Sequence, residues 1–224
     1  MGNEQDYIKK LEDVIKQMLQ PLKDIPFNLV IETMTGKKVI SFDFNNKEHQ
    51  QILGLLKKAA LNAGNAINQS GVLRPRPNEV GNDIENYVRN ALNSVGLKAD
   101  VPVGPSGHKK ATGYPDILFW YNGNPYYLEC KTYNIENIET TQRSFYFSPS
   151  DEFKVIYDTT HFLLSYQIYV EGEKGNKHIY KCKHYKILSI QSLSLDVKYE
   201  FNSDNKRMYS GKDGTTIIAE GKIE

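Results

Sequence analysis

The chain reads as α+β: a mixed central β-sheet flanked by helices, an α/β/α-like core preceded by an N-terminal helical and hairpin lobe. Three observations predict this. Residues 47–69 and 79–94 repeat apolar side chains at helical spacing, with Val80, Ile84, Tyr87, Val88 and Leu92 on one face of the second. The stretch GYPDILFWYNGNPYYLECKTY (113–133) holds two apolar runs separated by Asn122-Gly123-Asn124-Pro125, the composition of a β-hairpin. HFLLSYQIYVE and KHIYKCKHYKILSI read as a second antiparallel pair joined at Lys174-Gly175-Asn176.

The elements follow in order. Ile8, Leu11, Ile15, Met18 and Leu19 predict a helix over 4–19, which Pro21 and Pro26 end. FNLVIETMTGKKVISFDF (27–44) reads as a hairpin around Thr35-Gly36. The long helix 47–69 comes next, then a loop over 70–78, then the helix 79–94, stopped by Gly96. A Gly/Pro loop (102–113) leads into the 113–133 hairpin. SPSDEFKVIYD (148–158) starts like a short helix with Ser150 as N-cap. Two weaker strands, near 195–201 and 215–219, close the chain. No internal repeat or low-complexity linker appears, and two parts are expected: a lobe over 1–77, for recognition or dimerisation, and a core over 78–224.

Composition excludes several classes. Of 224 residues, 39% are apolar and 25% charged, a globular rather than a disordered balance. No apolar run approaches the roughly 20 residues of a membrane span. The N-terminus is a charged helical pattern, not a signal peptide, and Asp6 occupies the position where a myristoylation pattern needs Ser or Thr. Cys130 and Cys182 are the only cysteines, too few for a disulfide framework, so a cytoplasmic protein is expected. The net charge of +1 does not bear on nucleic acid binding, which local patches decide.

Charged groups gather at one end of the 113–133 hairpin. Asp116 precedes Ile117-Leu118-Phe119-Trp120, and Glu129 and Lys131 follow Tyr126-Tyr127-Leu128. Side chains alternate along a strand, so Glu129 and Lys131 share a face and Cys130 points into apolar surroundings. Hairpin pairing brings Asp116 near Glu129. Two carboxylates there repel, and a divalent cation satisfies both; Mg²⁺ commonly takes one or two carboxylates plus water and substrate phosphate. The metal then supplies charge stabilisation for attack on phosphorus, with the lysine holding the attacking water.

Pro115-Asp116 followed by Glu129-Cys130-Lys131 resembles the PD-(D/E)xK nuclease superfamily, and within it the type II restriction endonucleases. The resemblance covers residues 79–150. It implies a restriction-endonuclease-like fold, Asp116 and Glu129 as Mg²⁺ ligands, Lys131 as the catalytic lysine, and a further acid on the preceding helix: Glu85, with Glu79 as competitor. Two other copies of the acid-x-Lys pattern are set aside: Glu152-Phe153-Lys154 sits in a Pro-Ser-Asp helix start, and Asp196-Val197-Lys198 has no upstream Pro-Asp strand.

The segment after Lys131 is TTQRSFYFSPS (140–150), which packs Gln142, Arg143, Ser144 and Tyr146 together; Arg and Gln read guanine and adenine edges. A similar Thr-x-Arg-x-Phe-Tyr stretch follows the catalytic strand in some restriction endonucleases. A loop packing its aromatics on the core is the competing reading. Lys109 and Lys110 are candidates for DNA phosphates, as are Arg74 and Arg76 in the extended RPRP segment, with plain surface loops as the alternative. GPSGHKKATG lacks the Gly-Lys-Thr/Ser of a phosphate loop, and His161, His178 and His184 lack zinc-ligand spacing and are expected on strands.

The reading is a Mg²⁺-dependent type II restriction endonuclease that cleaves double-stranded DNA at a short sequence to leave 5′-phosphates. It would act as a homodimer, alongside a cognate DNA methyltransferase. Two alternatives stay open: a repair or junction-cleaving nuclease of the same superfamily, and a non-catalytic DNA-binding domain on the same fold.

Overall fold

The structure, a computed structural model, describes residues 2–20, 22–107, 113–134, 145, 147, 152–197 and 218. Two compact units emerge: Ile25–Ser194, and Met1–Asp24 together with Leu195–Glu224.

In the smaller unit, helix α1 (Gly2–Met18) confirms the first predicted helix. It keeps Tyr7, Leu11, Val14 and Met18 exposed along one stripe. Strand β1 (Leu22–Pro26) pairs with β8 (Ser194–Val197), and Asp24 N–H donates to Asp196 Oδ1 at 3.1 Å.

The larger unit departs from expectation at its start. Phe27–Thr35 is a helix, α2, not the arm of a hairpin. Phe27 and Ile31 are buried while Leu29 is exposed. A helix satisfies that pattern, and strand alternation, which would put all three on one face, forbids it. Gly36, at φ 68°, caps α2 by donating its N–H to Glu32 C=O. The β-branched composition misled because, among the described residues, no strand pairs with this segment; an isolated bridge, Val39 to Thr159, forms after it.

Helices α3 (Lys47–Ser70) and α4 (Val80–Ser94) match their predicted positions. Asn46 caps α3, its side chain accepting from the N–H groups of Glu48 and His49. The loop expected over 70–78 contains an edge strand, β2 (Val72–Arg74), paired antiparallel with β7 (Lys177–Ser189). Gly71 makes that pairing possible. It has φ 67°, and a Cβ there would stand 2.7 Å from Ile179 Cγ2.

The main sheet runs β2-β7-β6-β5-β4-β3, with β3 at Lys98–Asp100, β4 at Ile117–Tyr121, β5 at Asn124–Tyr133 and β6 at His161–Lys174. Only β5–β6 is parallel, so the sheet is mixed as expected. Helices α3 and α4 cover one face. Ile52, Leu56, Ile84 and Val88 pack there against Ile117, Phe119, Leu128, Cys130, Phe162 and Leu164. Two polar ties set α3 on the sheet. Tyr166 O–H donates to Ala60 C=O at 2.7 Å, and the Asn68 amide satisfies both the N–H and the C=O of Cys182. The opposite face carries an aromatic cluster in which Phe27 meets Tyr114 edge-on and Tyr114 stacks on His161. His161, His178 and His184 lie on β6 and β7, as expected. Residues 152–158 form no helix.

Candidate active site

The β4–β5 hairpin turns on Asn122 and Gly123, both at positive φ (49° and 83°). That is the backbone of a two-residue type I′ turn, which Asn-Gly favours. The turn sets the register at Tyr121 with Asn124 and Ile117 with Leu128. One step beyond the ladder, Asp116 falls opposite Glu129. Alternation sends Tyr126, Leu128 and Cys130 into the helix-covered core, which leaves Glu129 and Lys131 together on the other face, as the sequence predicts.

The side chains meet. Asp116 Oδ2 accepts the Cys130 N–H at 2.8 Å, and Lys131 Nζ donates to Glu129 Oε1 at 2.5 Å. Glu129 is only 3% exposed. Its second oxygen, Oε2, is buried and has no hydrogen-bond partner among the described residues. Burial, and then the charge of Asp116, push its carboxyl up to about 7, against the opposing pull of Lys131. Burial alone would lower the Lys131 ammonium, but the charge and hydrogen bond of Glu129 outweigh it and hold it above its ordinary value. Lys131 is therefore a cation at neutral pH.

Helix α4 supplies a third acid. Glu85 is raised to about 7 by burial and by the charge of Asp116, while Lys131 and Lys154 oppose the shift. Glu79 takes no part in this exchange. It stands at the N-terminus of α4 and pairs with Arg76 Nε at 2.9 Å. Of the two candidate helix acids, Glu85 is the one that the charge of Asp116 raises.

Sequence reasoning passed over Lys154, which the structure brings to the same place. It is 3% exposed, and burial lowers its ammonium while Asp116, Glu129 and Glu85 pull it up. Tyr127, on the same face of β5 as Glu129, holds its backbone: Tyr127 O–H donates to Lys154 C=O at 3.2 Å and accepts from Ile156 N–H at 2.9 Å. The available signal was a lone lysine between apolar Phe153 and Val155-Ile156.

Tyr114 and His161 form the floor beside these groups. Burial pulls His161 down to about 3, so the ring is neutral, and its Nδ1 shares a hydrogen bond with the Tyr114 hydroxyl at 2.5 Å. Burial, and next the charge of Glu129, push the Tyr114 phenol well above its ordinary value, so it remains protonated.

Among the described residues, no three His, Cys, Asp or Glu side chains stand close enough to hold one metal ion. Asp116 and Glu129 stand opposite each other across the hairpin, and the charge of Asp116 also acts on Glu85. Hard oxygen donors, one of them a buried unpartnered oxygen, fit a hexacoordinate cation that completes its shell with water and phosphate.

The predicted nucleic-acid contacts are not brought to this cluster where they can be followed. Arg74 is engaged by Asp83 through two hydrogen bonds, both 2.7 Å, and Arg76 pairs with Glu79. Lys109, Lys110, Gln142, Arg143, Ser144 and Tyr146 lie outside the described residues, as does Lys198. No helix among the described residues is long and apolar enough to cross a membrane.

Comparison with known proteins extends well beyond the 79–150 stretch that carries the motifs. A family described as "Type II restriction enzyme MjaV family" matches residues 21–212. The type II restriction enzyme MjaV of Methanocaldococcus jannaschii is 35% identical over 223 residues, covering 92% of this chain and 94% of the relative. No solved structure matches.

Proposed function

The chain belongs to the MjaV family of type II restriction enzymes, and we propose that Asp116, Glu129 and Lys131, with Glu85 behind them, carry its cleavage of DNA. Family membership makes the protein an endodeoxyribonuclease that hydrolyses phosphodiester bonds of double-stranded DNA, and type II restriction enzymes work with a divalent metal. That decides against the two alternatives, a repair nuclease and a binding-only domain.

One observation carries the site assignment: two carboxylates converge at one strand end, with Glu129 Oε2 buried and unpartnered beside a fixed ammonium. Mg²⁺ is the cation that suits this donor set. When bound by Asp116 and Glu129 it supplies charge stabilisation at the phosphate. The chain's own groups do the rest. The Cys130 N–H fixes the Asp116 carboxylate. Lys131, held protonated, cannot act as a base; it orients the attacking water by donating to it and offsets the negative charge that grows on the phosphate oxygens. Glu85, raised towards neutrality, stands at the edge of the cluster as a reserve carboxylate for the water's proton. The products would carry 5′-phosphates.

The finer assignments are read as follows. Gln142, Arg143, Ser144 and Tyr146 contact the recognition sequence, and Lys109, Lys110, Arg74 and Arg76 contact phosphates, Arg74 and Arg76 only by exchanging their present carboxylate partners. A homodimer matches two-fold DNA sites. It is supported by the exposed apolar stripe of α1, within the 1–77 segment read as a recognition or dimerisation lobe. The enzyme acts in the cytoplasm beside a cognate methyltransferase.

Digestion of unmethylated phage DNA with Mg²⁺ tests this reading. Discrete bands that vanish with EDTA are expected. A smear, or cutting that survives EDTA, would refute it.

A further inference from the structure

The sheet face that carries Glu129 and Lys131 continues across β6 and β7. Paired residues of neighbouring strands point to the same face. The register sets Lys131 of β5 beside Ser165 of β6, and Ser165 beside Lys186 of β7. The next row on this face is Tyr133, Gln167 and His184. The residues between them sort the other way: Leu164, Tyr166, Tyr185 and Ile187 pack into the helix-covered core. The two rows hold ammonium, hydroxyl, amide and imidazole groups and no carboxylate. Each can donate a hydrogen bond. A surface made only of donors suits a polyanion.

Lys186 is exposed, yet its side chain lies along the sheet. Its Nζ sits 5.2 Å from the centroid of the Tyr133 ring, two strands away. The contact lays a cation over an aromatic face and carries it across β6 towards the strand of Glu129 and Lys131. Tyr133 follows Lys131 by two residues, about 7 Å along the strand. DNA rises about 3.4 Å per nucleotide along one strand, so the Lys186 ammonium stands about two nucleotides from a phosphate held at Lys131. Among the described residues no carboxylate pairs with Lys186, whereas Arg74, Arg76 and Lys181 each have one.

Resting on the reading that Lys131 stands at the scissile phosphate, we propose that Lys186, laid over Tyr133 and flanked by Gln167 and His184, binds a backbone phosphate of the cleaved DNA strand about two nucleotides from the cut. Its role is to hold the strand in register over Asp116 and Glu129, not to take part in the chemistry. The Tyr133 ring sets the lysine in place beforehand, so less side-chain freedom is lost when the phosphate arrives. A phosphate contact carries no sequence information, so cognate and random DNA should feel its loss alike.

The test uses the full-length protein as wild type, Lys186→Gln, Lys186→Arg and Glu129→Gln. Affinity for a duplex bearing the mapped cleavage site and for a random duplex is measured in Ca²⁺ across a salt series. Lys186→Gln should bind both several-fold more weakly and flatten the salt dependence by about one unit. Its single-turnover cleavage rate at saturating enzyme and Mg²⁺ should stay within about twofold of wild type, and Lys186→Arg should restore binding. A scan of duplexes with one neutral methylphosphonate at a time locates the contact. Wild type should lose affinity at one phosphate about two nucleotides from the cut, where Lys186→Gln should be indifferent. Unchanged affinity, a loss confined to the mapped site, or a scan with no such phosphate would each overturn the proposal. Glu129→Gln separates the two readings. If it cleaves as wild type, the active site itself is misassigned; if it is inactive while Lys186→Gln binds as wild type, only the phosphate contact fails.

Discussion

The main-chain N–H of Cys130 donates to Asp116 Oδ2 at 2.8 Å, so the strand that carries Glu129 also aims the carboxylate opposite it. Cys130 itself is buried in the helix-covered core. The Asp116 carboxylate is thus held by backbone, and that of Glu129 by the Lys131 ammonium. Asp116→Asn or Glu129→Gln should abolish cleavage while preserving sequence-specific DNA binding in Ca²⁺. Gel-shift and digestion assays on one preparation check this, and a variant that loses binding together with cutting would move these residues from the chemistry to the fold.

Lys131 donates to Glu129 Oε1 at 2.5 Å and is held protonated. Lys131→Ala should slow single-turnover cleavage by roughly three orders of magnitude, the scale of losing a positioned electrostatic donor. Its DNA affinity should stay near wild type. A larger loss in binding than in rate would make Lys131 a phosphate contact only.

Glu129 gives the metal-free protein a defined pH dependence. Its carboxyl is raised from 4.5 to about 7 by burial and then by Asp116. The folded state keeps this proton where the unfolded chain has released it, so stability should fall as pH rises from about 4.5 to about 7 and level off above. Glu85, raised to the same value, adds to this slope, so Glu129→Gln should reduce it by about half and gain on the order of 2 to 3 kcal/mol at pH 8. Chemical denaturation in EDTA across pH measures it; an unchanged slope would show that Glu129 does not titrate there. Saturating Ca²⁺ should remove the Glu129 share of the slope in the wild type, because a bound cation keeps that carboxylate ionised.

Arg143 follows Lys131 by about ten residues, beside Gln142, and a planar forked donor suits bidentate base reading. Arg143→Ala should cost roughly 1–3 kcal/mol on the cognate duplex and far less on random DNA. A phosphate contact would instead weaken both alike and flatten the salt dependence by about one unit. Unchanged affinity at every salt concentration, with lower stability, would make the segment structural.

Arg74 offers a control for the electrostatic reading of the surface. Asp83 holds its guanidinium through two hydrogen bonds. If Arg74 leaves this pair to meet DNA, Asp83→Ala should raise DNA affinity at low salt. If the pair merely joins β2 to α4, Asp83→Ala and Arg74→Ala should leave affinity alone.

Much of this protein was determined by local sequence. Asn122-Gly123 specifies a turn, and the turn sets the register that faces Asp116 with Glu129; strict alternation then sorts Cys130 inward and Glu129 and Lys131 outward. The apolar periodicity of 47–69 and 79–94 was enough for α3 and α4. These signals act within a few residues, so they survive being read in one dimension. What only the tertiary structure decided depends on partners distant in the chain. Phe27–Thr35 is helix, and among the described residues no strand offers it a partner. Val72–Arg74 became an edge strand because β7 arrives there, with Gly71 clearing the way. Arg74 met Asp83. Lys154, discarded as a chance repeat of a short pattern, is buried, and a tyrosine 27 residues earlier binds its backbone. A charge in a sequence carries no mark of the field it will stand in; that field is the sum over groups which only folding brings together.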